Sequence, residues 1–266
     1  MIRFLGIILI QVFAVFLIAQ PASSEESKSS RLTDQDATVI LQRAVEAIAP
    51  LEKFDSLESL SYRGESVGLE TDSEEKAEED ESSSTEMLMV FQGDIPKDLL
   101  LHSIFVRPSG ERFVRTLSGE RSFAGAIGDL PPDLHRDLVR YASTKLVTLL
   151  RFRNSPGVMT KLAGSAVVEG KTVDLVEIQL FDFSSVLEVE RETGQVLAIR
   201  FPSSEIQEGV GDSEVRRAYS DFRTIHGWTL PFLQETTVGG EPYTKWQLDE
   251  IVVNGDYDKT IFDPSH

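Results

Sequence analysis

Cysteine is absent from the 266 residues. That absence excludes a disulfide framework, thiolate metal ligation, a cysteine nucleophile and the lipidated cysteine of a lipoprotein anchor. Histidine is scarce, with only His102, His135, His226 and His266, and these have neither the H-E-x-x-H pattern nor paired ligand spacing. Asp256, Asp258 and Asp263 lie close together without the spaced-acid pattern of a calcium loop. No Walker or dinucleotide glycine pattern occurs, so no metal and no cofactor is implied. Positive charge is also in short supply: 26 Lys and Arg stand against 44 Asp and Glu, for a formal charge of -18. This balance argues against nucleic acid and against anionic membrane surfaces as partners, since both attract basic patches.

Much of the negative charge is local. Glu70 to Glu86 holds nine acids and one lysine with no apolar periodicity, and reads as a solvated, disordered insert at 70–86. The N-terminus reads as an address. Arg3 is followed by the almost wholly apolar Phe4–Ala19 and by Pro21-Ala-Ser-Ser24, the small residues of a cleavage site. The expected signal peptide is 1–24, cut after Ala22 or Ser24, with a polar lead-in at 25–32. An uncleaved anchor is the competing reading, but a span needs roughly 20 apolar residues, and this run is shorter and contains Gln11. The expectation is therefore export with no stable membrane anchor after cleavage. About 240 mature residues can bury one substantial core, which a disulfide-free exported chain requires.

Thr33-Asp-Gln-Asp36 offers helix caps, and Ala37–Leu51 carries Val39, Ile40, Ala44, Val45, Ala47 and Ile48 near helical spacing until Pro50 intervenes. Strands then follow in series. Leu57–Leu69, Met87–Gly93, Leu99–Arg107, Arg112–Leu117 and Ser122–Gly125 are separated by turn sequences. Pro131 to Arg153 returns to helical intervals with one five-residue step, which predicts one kinked helix or two short ones. Its Arg136, Arg140, Arg151 and Arg153 read as solvating the polar side. Strands resume at Val158–Val168, Thr172–Phe181, Val186–Glu192 and Val196–Phe201. A closing meander of Ala218–Ile225, Trp228–Val238 and Tyr243–Val253 is punctuated by His-Gly and Gly-Gly-Glu-Pro, with His226 as a turn residue. Serial hairpins predict antiparallel pairing and exclude a parallel α/β sheet.

Alternation in Val176/Ile178/Leu180, Leu187/Val189 and Leu197/Ile199/Phe201, and in Trp246/Leu248/Val252 with a break at Glu250, suggests one continuous inner face. Met87–Phe91 and Ile104–Val106 do not alternate, so both of their faces must be covered by protein or by a lipid-like ligand; internal burial is the commoner fate. Phenylalanine is abundant, at 15 against two Trp and five Tyr. Phe lacks a polar group to satisfy, so it suits an ordinary core or an apolar cavity equally. One enzyme-like motif occurs: Gly64-Glu-Ser66-Val-Gly68 matches the serine nucleophile elbow. The elbow requires a strand turning into a helix, whereas here the acidic stretch follows and no βαβ alternation exists. A serine hydrolase through Ser66 is therefore an unfavoured alternative.

Tyr219-Ser-Asp-Phe-Arg223, Ile225-His-Gly-Trp228, Leu230-Pro-Phe232, Leu248-Asp-Glu-Ile-Val-Val-Asn254 and Phe262-Asp-Pro264 follow one another in order. This series resembles the closing pattern of LolA-like, outer-membrane lipoprotein-sorting proteins. The hairpins Val168-Glu-Gly-Lys-Thr-Val173 and Arg191-Glu-Thr-Gly-Gln-Val196 and the Ala-rich early helix are similar to that family as well. The acidic stretch departs from the family pattern. The resemblance implies an α+β, mainly antiparallel fold over 33–266: a single, strongly curved open sheet of about eleven strands, an incomplete barrel, covered by helices. It implies that Ala37–Leu51 and Pro131–Arg153 act as lid elements over an apolar cavity. Its lining candidates are Phe105, Phe113, Phe123, Leu197, Ile199, Phe201, Phe222, Trp228, Phe232, Trp246 and Leu248. The implied activity is a non-enzymatic carrier of a lipid or acylated protein cargo in the bacterial periplasm, with an envelope protein as partner. A structural or protein-interaction module of the envelope, with a filled core, is the alternative.

Overall fold

The computed structural model describes residues 34–68, 82–93, 98–125, 128–203 and 213–263. The expected signal peptide, the lead-in, most of the acidic stretch and the loop around 209–212 lie outside the described residues. Helix α1 (Asp34–Ile48) and the short α2 (Leu51–Asp55) are divided at Pro50, whose missing N–H and fixed φ suit the start of a new helix and not the middle of one. Six strands follow: β1 (Ser59–Gly68), β2 (Ser83–Phe91), β3 (Leu99–Val106), β4 (Arg112–Ser118), β5 (Arg121–Ala124) and β6 (Gly128–Asp129). Two helices, α3 (Pro132–Ser143) and α4 (Leu146–Arg151), interrupt the series. The chain then forms β7 (Met159–Val168), β8 (Lys171–Leu180), β9 (Phe183–Glu190), β10 (Val196–Pro202), β11 (Glu214–Ile225), β12 (Trp228–Val238) and β13 (Glu241–Val253). A 3-10 turn, Lys259–Phe262, closes the described chain.

All strands join one open antiparallel sheet in the order β6-β5-β4-β3-β2-β1-β13-β12-β11-β10-β9-β8-β7. The sheet has thirteen strands against the expected eleven. The additional pieces include the two-residue β6, too short to leave a sequence signal. β2 begins at Ser83, so the last four residues of the acidic stretch are strand, paired with β1 and β3. The meander boundaries follow the punctuation: His226 and Gly227, both at positive φ, make the two-residue turn between Ile225 and Trp228, the geometry that matches strand twist.

The sheet curls around α1. That helix touches both β12 and β7, which stand five strand spacings apart in the sheet order. Flat, those spacings would cover about 24 Å, more than twice the ~10 Å width of a helix. Ala37, Ile40, Leu41, Ala44, Val45 and Ile48 form the buried stripe of α1, spaced as one helical face. Val39 lies outside it and is exposed. This stripe meets Val176, Ile178 and Leu180 of β8, Leu187 and Val189 of β9 and Leu230 of β12 in a single core that also includes α2 and α4.

Met87–Phe91 is covered on both faces by protein. Met87, Met89 and Phe91 join the main core. Val90 packs on the other side with Leu100, Phe262, Leu88, Tyr257 and Ile261, so the closing 3-10 turn supplies the outer cover. The Leu197/Ile199/Phe201 row is interrupted. A register shift between Val196 and Ala198 against β9 makes Leu197 the bulged residue and hands the inner position to Val196. The helical arginines do more than solvate. Arg153 is 8% exposed, donates to the Leu150 carbonyl at 2.8 Å and pairs with Asp55 at 3.2 Å. Arg140 donates to the Ser203 carbonyl at 2.9 Å and stacks on Phe183.

Candidate functional site: a cation-lined pocket under the split helix

The concave face is not filled uniformly. α1, α2 and α4 cover part of it with apolar side chains, whereas beneath α3 a half-open pocket of about 360 Å³ remains. This is within the usual size range of small-molecule sites. One wall is apolar: Phe105 and Phe113 pair across β3 and β4 with centroids 6.3 Å apart, and Leu138 and Tyr141 descend from α3 to meet Trp246 of β13. Short hydroxyls, Ser66, Thr85, Ser103, Thr236 and Thr244, with Gln234, line the same sheet face between these aromatics. Alternation along paired strands puts them there: Ser66 sits opposite Trp246, Thr85 opposite Phe105, and Thr236 opposite Thr244.

The break between α3 and α4 positions the charged part of the site. Lys145 is the extended residue that starts α4, at φ -77 and ψ 138, so its side chain leaves the helical register and enters the pocket. It is 7% exposed, with its Nζ 3.6 Å from the Tyr141 ring centroid and 5.7 Å from that of Trp246. Arg217 of β11, 9% exposed, donates to the Thr144 carbonyl at 3.0 Å and lies over Phe201. That carbonyl belongs to the end of α3, where carbonyls lack intrahelical partners. Burial, and then the Arg217 charge, hold the Lys145 ammonium well below the usual lysine range. Burial pushes the Tyr141 and Tyr219 phenols up, with Arg217 opposing in each case. Arg107 and Arg115 complete the charged lining.

Of the residues expected to line a cavity, Phe105, Phe113 and Trp246 lie in this pocket. Ile199, Trp228, Phe232 and Leu248 are buried in the core, and Phe201 and Phe222 pack partly buried against it. Phe123 lies elsewhere, in a recess with Val114, Thr116 and Arg121. Lys145, Arg217, Tyr141 and Arg115 were not anticipated. A signal existed for two of them: Arg217 is a cation in the inward row Val215/Arg217/Tyr219, and Lys145 falls in the five-residue step of the helical pattern.

Ser66 is not on an elbow. It is a mid-strand residue of β1, paired with Trp246 on one side and Ser83 on the other, and its Oγ donates to the Ser83 carbonyl at 3.3 Å. No histidine or carboxylate stands among the residues described as lining its pocket. The preceding Gly64 is explained by packing, because a Cβ there would come within 2.1 Å of the Gln247 carbonyl oxygen at the β1–β13 irregularity.

Comparisons with solved structures agree with this architecture. A protein domain described as outer-membrane lipoprotein-sorting, from Vibrio parahaemolyticus, superposes with a TM-score of 0.54 at 7% identity, covering 88% of this chain and 98% of its own. The fold is LolA-like. A LolA superfamily protein from Nitrosomonas europaea matches with a TM-score of 0.52 at 13% identity, over 85% of this chain and 96% of that one. A DUF1329 family protein from Desulfovibrio piger gives 0.53 at 12% identity, over 86% and 98%. Neither protein-family models nor curated proteins yield a match to the sequence. At these identities the likeness is one of LolA-like fold, carried by the open sheet and its helical cover.

Proposed function

We propose that this protein is an exported, non-enzymatic carrier or binding protein for a lipid or acylated ligand in the bacterial periplasm, comprising a signal peptide at 1–24 and one LolA-like domain over 33–266. The observation that carries the reading is the half-open pocket under α3, lined by Phe105, Phe113, Leu138, Tyr141 and Trp246, beside the part of the sheet that α1, α2 and α4 pack into core. An acyl chain placed against that lining gains roughly 0.8 kcal/mol per methylene removed from water. The hydroxyls and the cations of the lining suit a polar head. Displacement of a fluorescent fatty acid by added lipid tests it, with saturable one-site binding and quenching of Trp246 as the expected result. A matured N-terminus at Ser23 or Glu25 tests export; an intact Met1 in the membrane fraction would contradict it.

A second reading, an envelope interaction module without cargo, has one observation in its favour. α1, α2 and α4 bury Phe54, Trp228, Leu230, Phe232 and Leu248, so much of the concave face is already core. Absence of probe binding, together with capture of an envelope protein, would favour that module.

A further inference from the structure

We propose that Lys145 and Arg217, with Arg115 at the mouth, form a binding site for the anionic head group, a carboxylate or a phosphate, of an amphiphile whose apolar tail lies against Phe105, Phe113 and Trp246. This rests on the carrier reading and specifies its ligand. In a chain of net charge -18, every charged side chain lining the pocket is a cation: Arg107, Arg115, Lys145 and Arg217. Arg107 has its own carboxylate, Glu111, at 2.8 Å. Among the described residues, Lys145, Arg217 and Arg115 form no ion pair.

Lys145 and Arg217 are both more than nine-tenths buried. Burying like charges side by side without a counter-ion opposes folding, and the faces of Tyr141 and Trp246 offset only part of that cost. An anion seated between them would complete the site. A guanidinium offers a paired-donor fork to either oxyanion, and an ammonium adds a point charge. The arrangement also orders the ligand, because the buried cations Lys145 and Arg217 come from the α3–α4 break and β11, whereas Phe105 and Phe113 stand on β3 and β4. An uncharged lipid would leave the cations as they are.

The test is calorimetric titration of the full-length mature protein with dodecanoate and dodecyl phosphate, each below its micelle concentration, and with dodecanol below its solubility limit. The expected result is binding of both anions, or of one, at least tenfold tighter than the alcohol. Lys145→Met should bring the anions to the alcohol's affinity, Lys145→Arg should keep the preference, and Arg115→Gln, at an exposed position, should weaken the anions severalfold without affecting dodecanol. Tighter dodecanoate assigns the head to a carboxylate and tighter dodecyl phosphate to a phosphate, and either supports the proposal. Equal affinity for all three would overturn the head-group site and leave the carrier reading standing, whereas no binding of any of them would overturn both. An anion preference that survives both Lys145→Met and Arg115→Gln would also overturn the assignment.

Discussion

At Lys145 stability and binding pull in opposite directions. The ammonium faces Tyr141 of α3, Arg217 and Tyr219 of β11 and Tyr62 of β1. The phenols of Tyr62, Tyr141 and Tyr219 are pushed up by burial and stay neutral where Lys145 titrates. Its folded pKa lies below its unfolded one, so between the two values the unfolded chain binds more protons, and stability rises with pH across that window. Thermal melts of ligand-free protein should therefore show Lys145→Met more stable than wild type near neutral pH, by about 2 kcal/mol, with the difference shrinking as pH rises towards the ordinary lysine range. A variant less stable than wild type would show that the aromatic contacts of Lys145 hold the fold. Asn254 has a structural role. At φ 52, its Oδ1 accepts from the Glu58 and Ser59 amides at 2.9 and 3.2 Å, and its Nδ2 donates to the Ser56 carbonyl. It thus ties the end of β13 to the start of β1. Asn254→Ala should lower stability by about 2 kcal/mol in urea unfolding, without changing amphiphile affinity.

Among the elements, the hairpins and the outer face of the sheet show how far sequence reading reaches. The closing meander was legible because its turns carry glycine, although the row Trp246/Leu248/Val252 fails at its end: Val252 is exposed and Ile251 takes the inner place. The Arg191-Glu-Thr-Gly-Gln-Val196 hairpin has a further reason for its glycine: a Cβ on Gly194 would meet the Arg43 carbonyl oxygen at 2.8 Å, so the turn fits beneath α1 only without a side chain. Such long-range contacts leave no periodic trace. Glu188 is another case. It looks like a solvent-facing acid of β9, yet it is 0% exposed, clamped by Arg200 of the adjacent β10 at 2.5 Å and by Arg216 of β11, one strand beyond, at 2.8 Å. Burial pushes its carboxyl up, but the hydrogen bonds from Arg216 and Arg200 outweigh that and hold it below the usual range. Its contribution is thus complete above the ordinary carboxylate pKa and is lost as pH falls through the lower, folded one. Glu188→Ala should cost about 3 kcal/mol at pH 7, measured by urea unfolding, and much less in strong acid. The pocket was only half legible for the same reason. Trp246 belongs to an alternating row and Phe105 and Phe113 came with the family resemblance, whereas Lys145 and Arg217 become neighbours only through the helix break and the curl of the sheet.

Across the described residues, a LolA-like sheet packs α1 to α4 into one core and leaves a half-open hollow under α3. The two tryptophans report on the two regions. Trp228 packs on Phe54 in the core, while Trp246 lines the pocket opposite Gln234 of β12, about 20 Å further along the sheet. Ligand binding should therefore change the emission of a Trp228→Phe variant, which retains Trp246, and leave that of Trp246→Phe almost unaltered. Filling the hollow is the complementary manipulation. Ser103 lines the pocket from β3, beside Arg115 and two residues before Phe105, and an indole there would occupy the space of an acyl chain without disturbing the core. The most direct measurement is native mass spectrometry of the mature protein, wild type and Ser103→Trp, purified from a bacterial periplasm. The account predicts a lipid-sized adduct on the wild type and its loss from a folded Ser103→Trp protein; an adduct retained by the variant, or absent from both, would contradict it.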